Sequence, residues 1–88
     1  MLFMIIETFK GGNPKPVYER FKQRGRLAPE GLTYVSSWVS DKGTVCYQIM
    51  ECADINLIHQ WIEKWNDLVE FEVIPVVTSI EAAKLFSA

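Results

Sequence analysis

Histidine, cysteine and long apolar runs are all scarce in this sequence. His59 is the only histidine, Cys46 and Cys52 are the only cysteines, and no Cys-x-x-Cys pair occurs. A zinc site of recognised spacing or a nucleophile–histidine pair is therefore hard to assemble from neighbouring residues. Two cysteines are too few for a secreted disulfide scaffold. Placed six residues apart on one strand, they stand roughly 20 Å from each other. A disulfide needs Cα atoms within about 7 Å, so two free thiols are expected. The opening run Leu2-Phe3-Met4-Ile5-Ile6 has no basic residue before it and stops at Glu7. That is too short for a signal peptide core or a membrane span, so the run reads as a buried strand and the protein is expected to be cytosolic.

Excess charge is scarce as well. The net charge of −2 gives no general attraction to nucleic acid or anionic membrane, and neither is expected as a partner. The charges that exist are segregated. Lys10, Lys15, Arg20, Lys22, Arg24 and Arg26 gather around the first helix, whereas Glu51, Asp54, Glu63, Asp67, Glu70, Glu72 and Glu81 dominate the second half. Two solvated faces that complement each other in an assembly explain this pattern without invoking an anion site.

Apolar and aromatic residues, by contrast, are plentiful: five Phe, three Tyr and three Trp in 88 residues. A single domain spanning residues 1–88 buries only roughly 60–65% of its unfolded surface. Some of this apolar surface is therefore expected to meet a second copy of the chain.

The order of patterns is strand, helix, strand, strand, helix, strand. Residues 2–9 read as the first strand, and Asn13-Pro14 opens a helix that carries Val17, Tyr18, Phe21 and Ala28 at helical spacing. Gly25 weakens that helix and Ala28-Pro29-Glu30-Gly31 ends it. Strands over 32–40 and 44–52 flank Ser40-Asp41-Lys42-Gly43, read as a type I turn with Gly43 left-handed, a three-residue hairpin. Asp54 caps a second helix with the stripe Ile58, Trp61, Ile62, Trp65 and Leu68. A fourth strand over 71–78 contains Pro75, which assigns it to a sheet edge. Thr78 and Glu81 start a short last helix over 79–87. The expected fold is α+β: a ferredoxin-like βαββαβ sandwich with a four-stranded antiparallel sheet, strand order 4-1-3-2, two helices on one face and a short C-terminal helix.

The three-residue hairpin sets Trp38 opposite Cys46, Ser36 opposite Gln48 and Tyr34 opposite Met50. Val35, Val39, Val45, Tyr47 and Ile49 then pack under the helices. Tyr34, Ser36, Trp38, Cys46, Gln48 and Met50 become the candidate ligand-binding residues, a mostly apolar surface with a few oriented polar groups. A dimer interface uses the same side chains, and a dimer that encloses a cavity satisfies both readings. The third strand lacks the aromatics of an RNA-recognition module at Thr44, Cys46 and Ile49. For proton transfer the candidates are Tyr34 and two strand-end carboxylates, Glu7 and Glu51, whose pKa rises if they are buried. No metal or cofactor is expected; His59 reads as a solvated helix residue, Cys46 as a buried thiol, and Trp61 and Trp65 as core.

Tyr34-Val35-Ser36-Ser37-Trp38, Cys46-Tyr47-Gln48-Ile49-Met50-Glu51, the start Met4-Ile5-Ile6-Glu7 and the segment Arg24 to Gly31 carry a family likeness. With the run Trp65-Asn66-Asp67-Leu68-Val69-Glu70-Phe71-Glu72-Val73-Ile74-Pro75-Val76, its most specific part, the chain resembles a small bacterial family, the domain of unknown function 3303 family. The resemblance implies the dimeric α+β-barrel group, in which two ferredoxin-like units pack sheet to sheet around a pocket. Relatives of that shape include cofactor-independent monooxygenases, muconolactone isomerases and haem-degrading enzymes. None of their catalytic residues maps onto this chain by motif. The functional expectation is a homodimer binding a small apolar or aromatic molecule between its sheets. The alternatives are a cofactor-independent monooxygenase or isomerase, and a structural or regulatory dimer without a ligand.

Overall fold

A computed structural model describes residues 1–87. In β1 (Leu2–Phe9), Phe3, Ile5, Glu7 and Phe9 are buried, while Leu2, Met4 and Ile6 on the alternate face are half-buried. Both faces of this strand are thus mostly apolar, and only one is fully covered. A 3₁₀ turn over Lys10–Gly12 leads to α1 (Lys15–Arg24), which has Pro16 in its first turn. The Asn13 Oδ1 accepts the Lys15 backbone N–H at 3.2 Å, as a capping side chain does.

Helix α1 stops at Arg24, earlier than the apolar spacing to Ala28 implied. Gly25 takes φ 71° and ψ −161°, a conformation open to glycine and costly for side chains with a Cβ. Its N–H still bonds to the Phe21 carbonyl at 2.8 Å, which closes the last turn. Residues 25–32 then form a loop that lies against α2.

The remaining elements are β2 (Thr33–Val39), β3 (Val45–Glu51), α2 (Asn56–Glu63), β4 (Val69–Val76) and α3 (Ser79–Phe86). The antiparallel sheet has the order β2-β3-β1-β4, the ferredoxin-like arrangement, and Pro75 lies on an edge strand as its missing N–H requires. The Asp54 carboxylate accepts the Asn56 N–H at 2.9 Å at the head of α2. Thr78 Oγ1 accepts the Glu81 N–H at 3.1 Å at the head of α3. Both helix starts follow the sequence signals. Among the described residues no helix is long and apolar enough to cross a membrane.

One expected feature of the sheet is overturned. The Ser40 N–H donates to the Val45 carbonyl at 2.8 Å, so the hairpin loop runs from Asp41 to Thr44, one residue longer than read from the sequence. The Ser40 hydroxyl holds this loop by accepting the N–H groups of Thr44 and Val45, each at 3.1 Å. Gly43 is left-handed as expected, with φ 73°. Trp38 therefore pairs with Tyr47 instead of Cys46, and Ser36 with Ile49 instead of Gln48. A bulge between Tyr34 and Ser36 then restores the expected Tyr34–Met50 pair.

The faces follow from this register together with the pairing of Phe3, Ile5 and Glu7 to Met50, Gln48 and Cys46. Cys46, Gln48 and Met50 point under the helices, and with Phe3, Ile5, Phe9, Ile58, Trp61 and Val69 they belong to the buried core. Tyr47 lies on the opposite, open face and is exposed, with Val45 and Ile49 half-buried beside it. The expected assignment of Val45, Tyr47 and Ile49 to the helix side is thus reversed. Of that set only Val39 turns inward, because it pairs with Cys46.

The separated charges partly meet within the chain. Arg20 on α1 makes a bidentate pair with Asp67 at 2.8 and 2.7 Å and also donates to the Lys64 carbonyl at 2.9 Å. This clamp ties α1 to the turn after α2, and it holds the Asp67 carboxyl down at about 2.

Candidate functional site

The covered face contains an anomaly. Glu7 is a direct cross-strand partner of Cys46 and is only 8% exposed, so the β-pleat carries a carboxyl group into the core. Around it, Val17, Tyr18 and Phe21 come down from α1, Trp61 and Trp65 from α2 and the turn behind it, and Ser37, Val39 and Gln48 from the sheet. Together they surround a cavity of about 120 Å³. An apolar cavity of about 150 Å³ accommodates benzene, so this space is on the scale of one ring.

The loop after α1 builds the polar rim. Both indole N–H groups, of Trp61 and Trp65, donate to the single backbone carbonyl of Arg26, at 3.0 and 2.9 Å. The next residue, Leu27, has φ 62°, an unusual conformation for a residue with a Cβ and one of order 1–3 kcal/mol in cost. Its side chain packs against the core, which holds the loop in place. The Arg26 side chain lines the cavity. Its guanidinium carbon lies 3.9 Å from the centre of the Tyr34 ring and 5.2 Å from that of Phe21, in cation–π range of both. The Tyr34 hydroxyl in turn shares a hydrogen bond of 2.7 Å with Ser37.

Electrostatics at this site follow from burial. Desolvation pushes the Glu7 carboxyl up to about 7, against smaller opposing effects from the Cys46 thiol, acting as a weak donor, and from the Arg26 charge. Its Oε2 is fully buried and has no hydrogen-bond partner. A buried polar atom without a partner is uncommon and costly. Burial and the adjacent Glu7 push the Cys46 thiol up to about 12. At neutral pH Cys46 is therefore a thiol, a poor nucleophile, consistent with its reading as a packed side chain. Tyr18 is raised too, first by burial and then by Cys46 and Glu7. The site accordingly offers one carboxyl that exchanges its proton near neutrality, one fixed cation, and apolar walls between them.

The candidate residues named from sequence divide between the two faces. Cys46 and Gln48 line the cavity. Met50 lies deeper on the same face, fully buried, where its sulfur accepts the Gln48 amide at 3.2 Å. Tyr34 is on this face also and supports Arg26. Ser36 and Trp38 are on the open face, and Trp38 is 60% exposed. Of the proton-transfer candidates, Glu7 is at the cavity and Glu51 is exposed at the sheet end. His59 is exposed on α2, and both cysteines are free and buried. Among the described residues no three His, Cys, Asp or Glu side chains gather as a metal site would require.

Arg26, Tyr18 and Phe21 were not singled out as site residues by sequence. Arg26 was one charge among six, and its distinguishing signal was Gly25 before it, which ends the helix and frees the next side chain. Tyr18 and Phe21 read only as a helix stripe.

A family profile described as a domain of unknown function (DUF3303) matches residues 1–88. No curated protein and no solved structure matches the chain.

Proposed function

We propose, from the premise that this chain belongs to the DUF3303 family, that it is a small-molecule-binding protein whose ligand enters the cavity beneath α1. The ligand is small, largely apolar and about one ring in size, and it sets a hydrogen-bond donor or an acidic C–H against Glu7. The observation that carries this reading is a cavity lined by Glu7, a carboxyl whose buried Oε2 has no partner. A group left in this condition stabilises nothing in the empty protein. A hydroxyl or similar donor on the ligand would satisfy it.

The proposed assembly is a cytosolic homodimer that pairs through the open sheet face. Met4, Ile6, Trp38, Tyr47, Ile49 and Ile74 make that face apolar on adjoining strands. Patches of this kind on soluble domains mark contact surfaces, and a self-complementary sheet face suits a two-fold pair. In this reading the dimer and the ligand use opposite faces of one sheet, which separates two roles that the sequence reading had placed together.

Native mass spectrometry of freshly purified protein, followed by phenol titration monitored by tryptophan fluorescence, tests both parts. The expected results are a dimer mass and a saturable change of the Trp61 and Trp65 signal. Trp38→Ala should retain the phenol response and weaken the dimer. Loss of the phenol response in Trp38→Ala would return the ligand site to the open face, and a dimer with no response to phenol would favour the structural reading.

A further inference from the structure

We infer that this cavity is a proton-transfer site for a monocyclic ketone, with Glu7 as the base and Arg26 as the partner of the oxygen that becomes charged. The inference rests on the ligand-cavity reading and names the substrate class and the reaction. Three observations carry it. Glu7 lines a cavity of about 120 Å³, and one of its carboxyl oxygens is buried without a hydrogen-bond partner. Phe9, Phe21, Trp61 and Trp65 are among the walls and suit a flat ring. The third is the position of Arg26. Its charge reaches Glu7, yet among the described residues the ion pair found is Arg20–Asp67, not Glu7–Arg26.

That separation decides the chemistry. A carboxylate ion-paired with arginine would be a weak base, held in its charged form. Here the base is kept apart from the cation, leaving the cation for an oxygen of the substrate. The guanidinium is positioned before any ligand arrives, by two indoles on its backbone carbonyl and by the Tyr34 and Phe21 rings beneath it. Preorganised charge aimed at a developing oxyanion is the larger part of such catalysis. The raised pKa of Glu7 is consistent, since a base works best when it titrates near the working pH. Cys46 offers no covalent route, because it is a thiol at neutral pH.

The step balances without a co-reactant. Glu7 takes a proton from the carbon next to the carbonyl. The C–H pair becomes a carbon–carbon double bond, and the carbonyl π pair moves onto oxygen beside Arg26. In a β,γ-unsaturated ketone Glu7 then returns the same proton to the γ carbon. The product is the conjugated α,β-enone, an isomer of the substrate, and the carboxylate is restored.

The test uses cyclohex-3-en-1-one as substrate, its conversion to the conjugated enone followed by ultraviolet absorbance, and its binding by tryptophan fluorescence. The wild type is expected to accelerate conversion by about 10²-fold or more over buffer. Its rate should rise with pH through about 7 and then level as Glu7 ionises. Glu7→Gln should bind the ketone with conversion reduced to the buffer rate. Arg26→Met should lose tenfold or more in kcat with a smaller change in KM. If the ketone binds but wild type converts it no faster than Glu7→Gln, the proton-transfer inference falls and the ligand cavity stands. Absence of both binding and conversion overturns the two together. Should Glu7→Gln fail to fold, a flat pH profile in the wild type overturns the inference.

Discussion

The two faces of the sheet are similar in composition and opposite in condition. Beneath the helices, Ile5 and Met50 are fully buried, yet this face also carries a carboxyl. On the open side, Met4, Ile6, Tyr47 and Ile49 are apolar but lie partly in solvent. An antiparallel sheet with one solvated face usually shows polar residues there. Each face therefore departs from the simple pattern in its own way. The open face has apolar residues where water reaches, which is the basis of the proposed pairing. The covered face has a titratable carboxyl where little water reaches, which is the basis of the proposed site. Departures of this kind, where local rules are broken without structural gain, concentrate at functional places.

The largest expected effect distinguishes core from surface. Trp61→Ala removes a buried ring that meets Phe71 edge-on and donates to Arg26. It should cost about 3–5 kcal/mol in urea unfolding. Trp38→Ala, measured at a concentration low enough for monomer, should stay within about 0.5 kcal/mol. Equal losses would mean that the open face is as much a part of the monomer's core as the covered one.

Glu7→Gln probes the charge under the helices. The folded chain holds the Glu7 proton up to about 7, against 4.5 as its ordinary value. The folded state therefore binds the extra proton between those pH values. This contribution to stability is complete below about pH 4.5, is lost as pH rises toward 7, and is absent above. By linkage the loss is about 3 kcal/mol. Glu7→Gln should be the more stable protein at pH 8 and about equal to wild type at pH 4.5. A wild-type stability curve that does not fall between those values would show that Glu7 is solvated, and the contrast between the faces would lose its main support.

The smallest effect lies outside the contrast. Asp67→Asn breaks the clamp from α1 to the turn after α2, at an exposed position where solvent screens the pair. The Asp67 carboxyl is held low, at about 2, so its contribution is present above the ordinary carboxylate range and is lost on acidification toward pH 2. Asp67→Asn should therefore resemble wild type at pH 2 and differ only slightly at pH 7. A large loss at neutral pH would make the clamp a determinant of the cavity roof.

Strand order, helix placement and helix caps were legible because each has a local cause: Pro75 excludes a central strand, Asp54 and Thr78 accept helix N–H groups, and Trp61 and Trp65 recur at helical spacing. The site was legible only in part. Glu7 stood out as a carboxyl in an apolar strand, but its burial depends on helices that follow it in the chain. Ser36 and Trp38 stand on the open face as expected but against other partners, because pairing depends on a single residue of loop length. The covered side of Cys46, Gln48 and Met50 was missed because it is set by their pairing with β1. Ser40 held the decisive information, since its hydroxyl selects the longer loop, but a serine near a turn fits either length. Arg26 was hidden by its neighbours, whose like charges made it look like one more solvated side chain.

The loop and the bulge behave as a frameshift and its suppressor. The extra loop residue changes the reading frame of β2, and Val35, left unpaired, restores it before Tyr34. Only Ser36, Ser37, Trp38 and Val39 lie between the two and are read out of frame. In the unshifted frame, with a three-residue loop, an indole and Ser36 would face the helices next to Cys46 and Gln48. In the actual frame that wall is Ser37 and Val39, a hydroxymethyl group and an isopropyl group, and the bulky ring is displaced to the other side. The vacancy beside Glu7 is thus inherited from the hairpin: two small irregularities cancel along the strand and leave behind a space of about one ring.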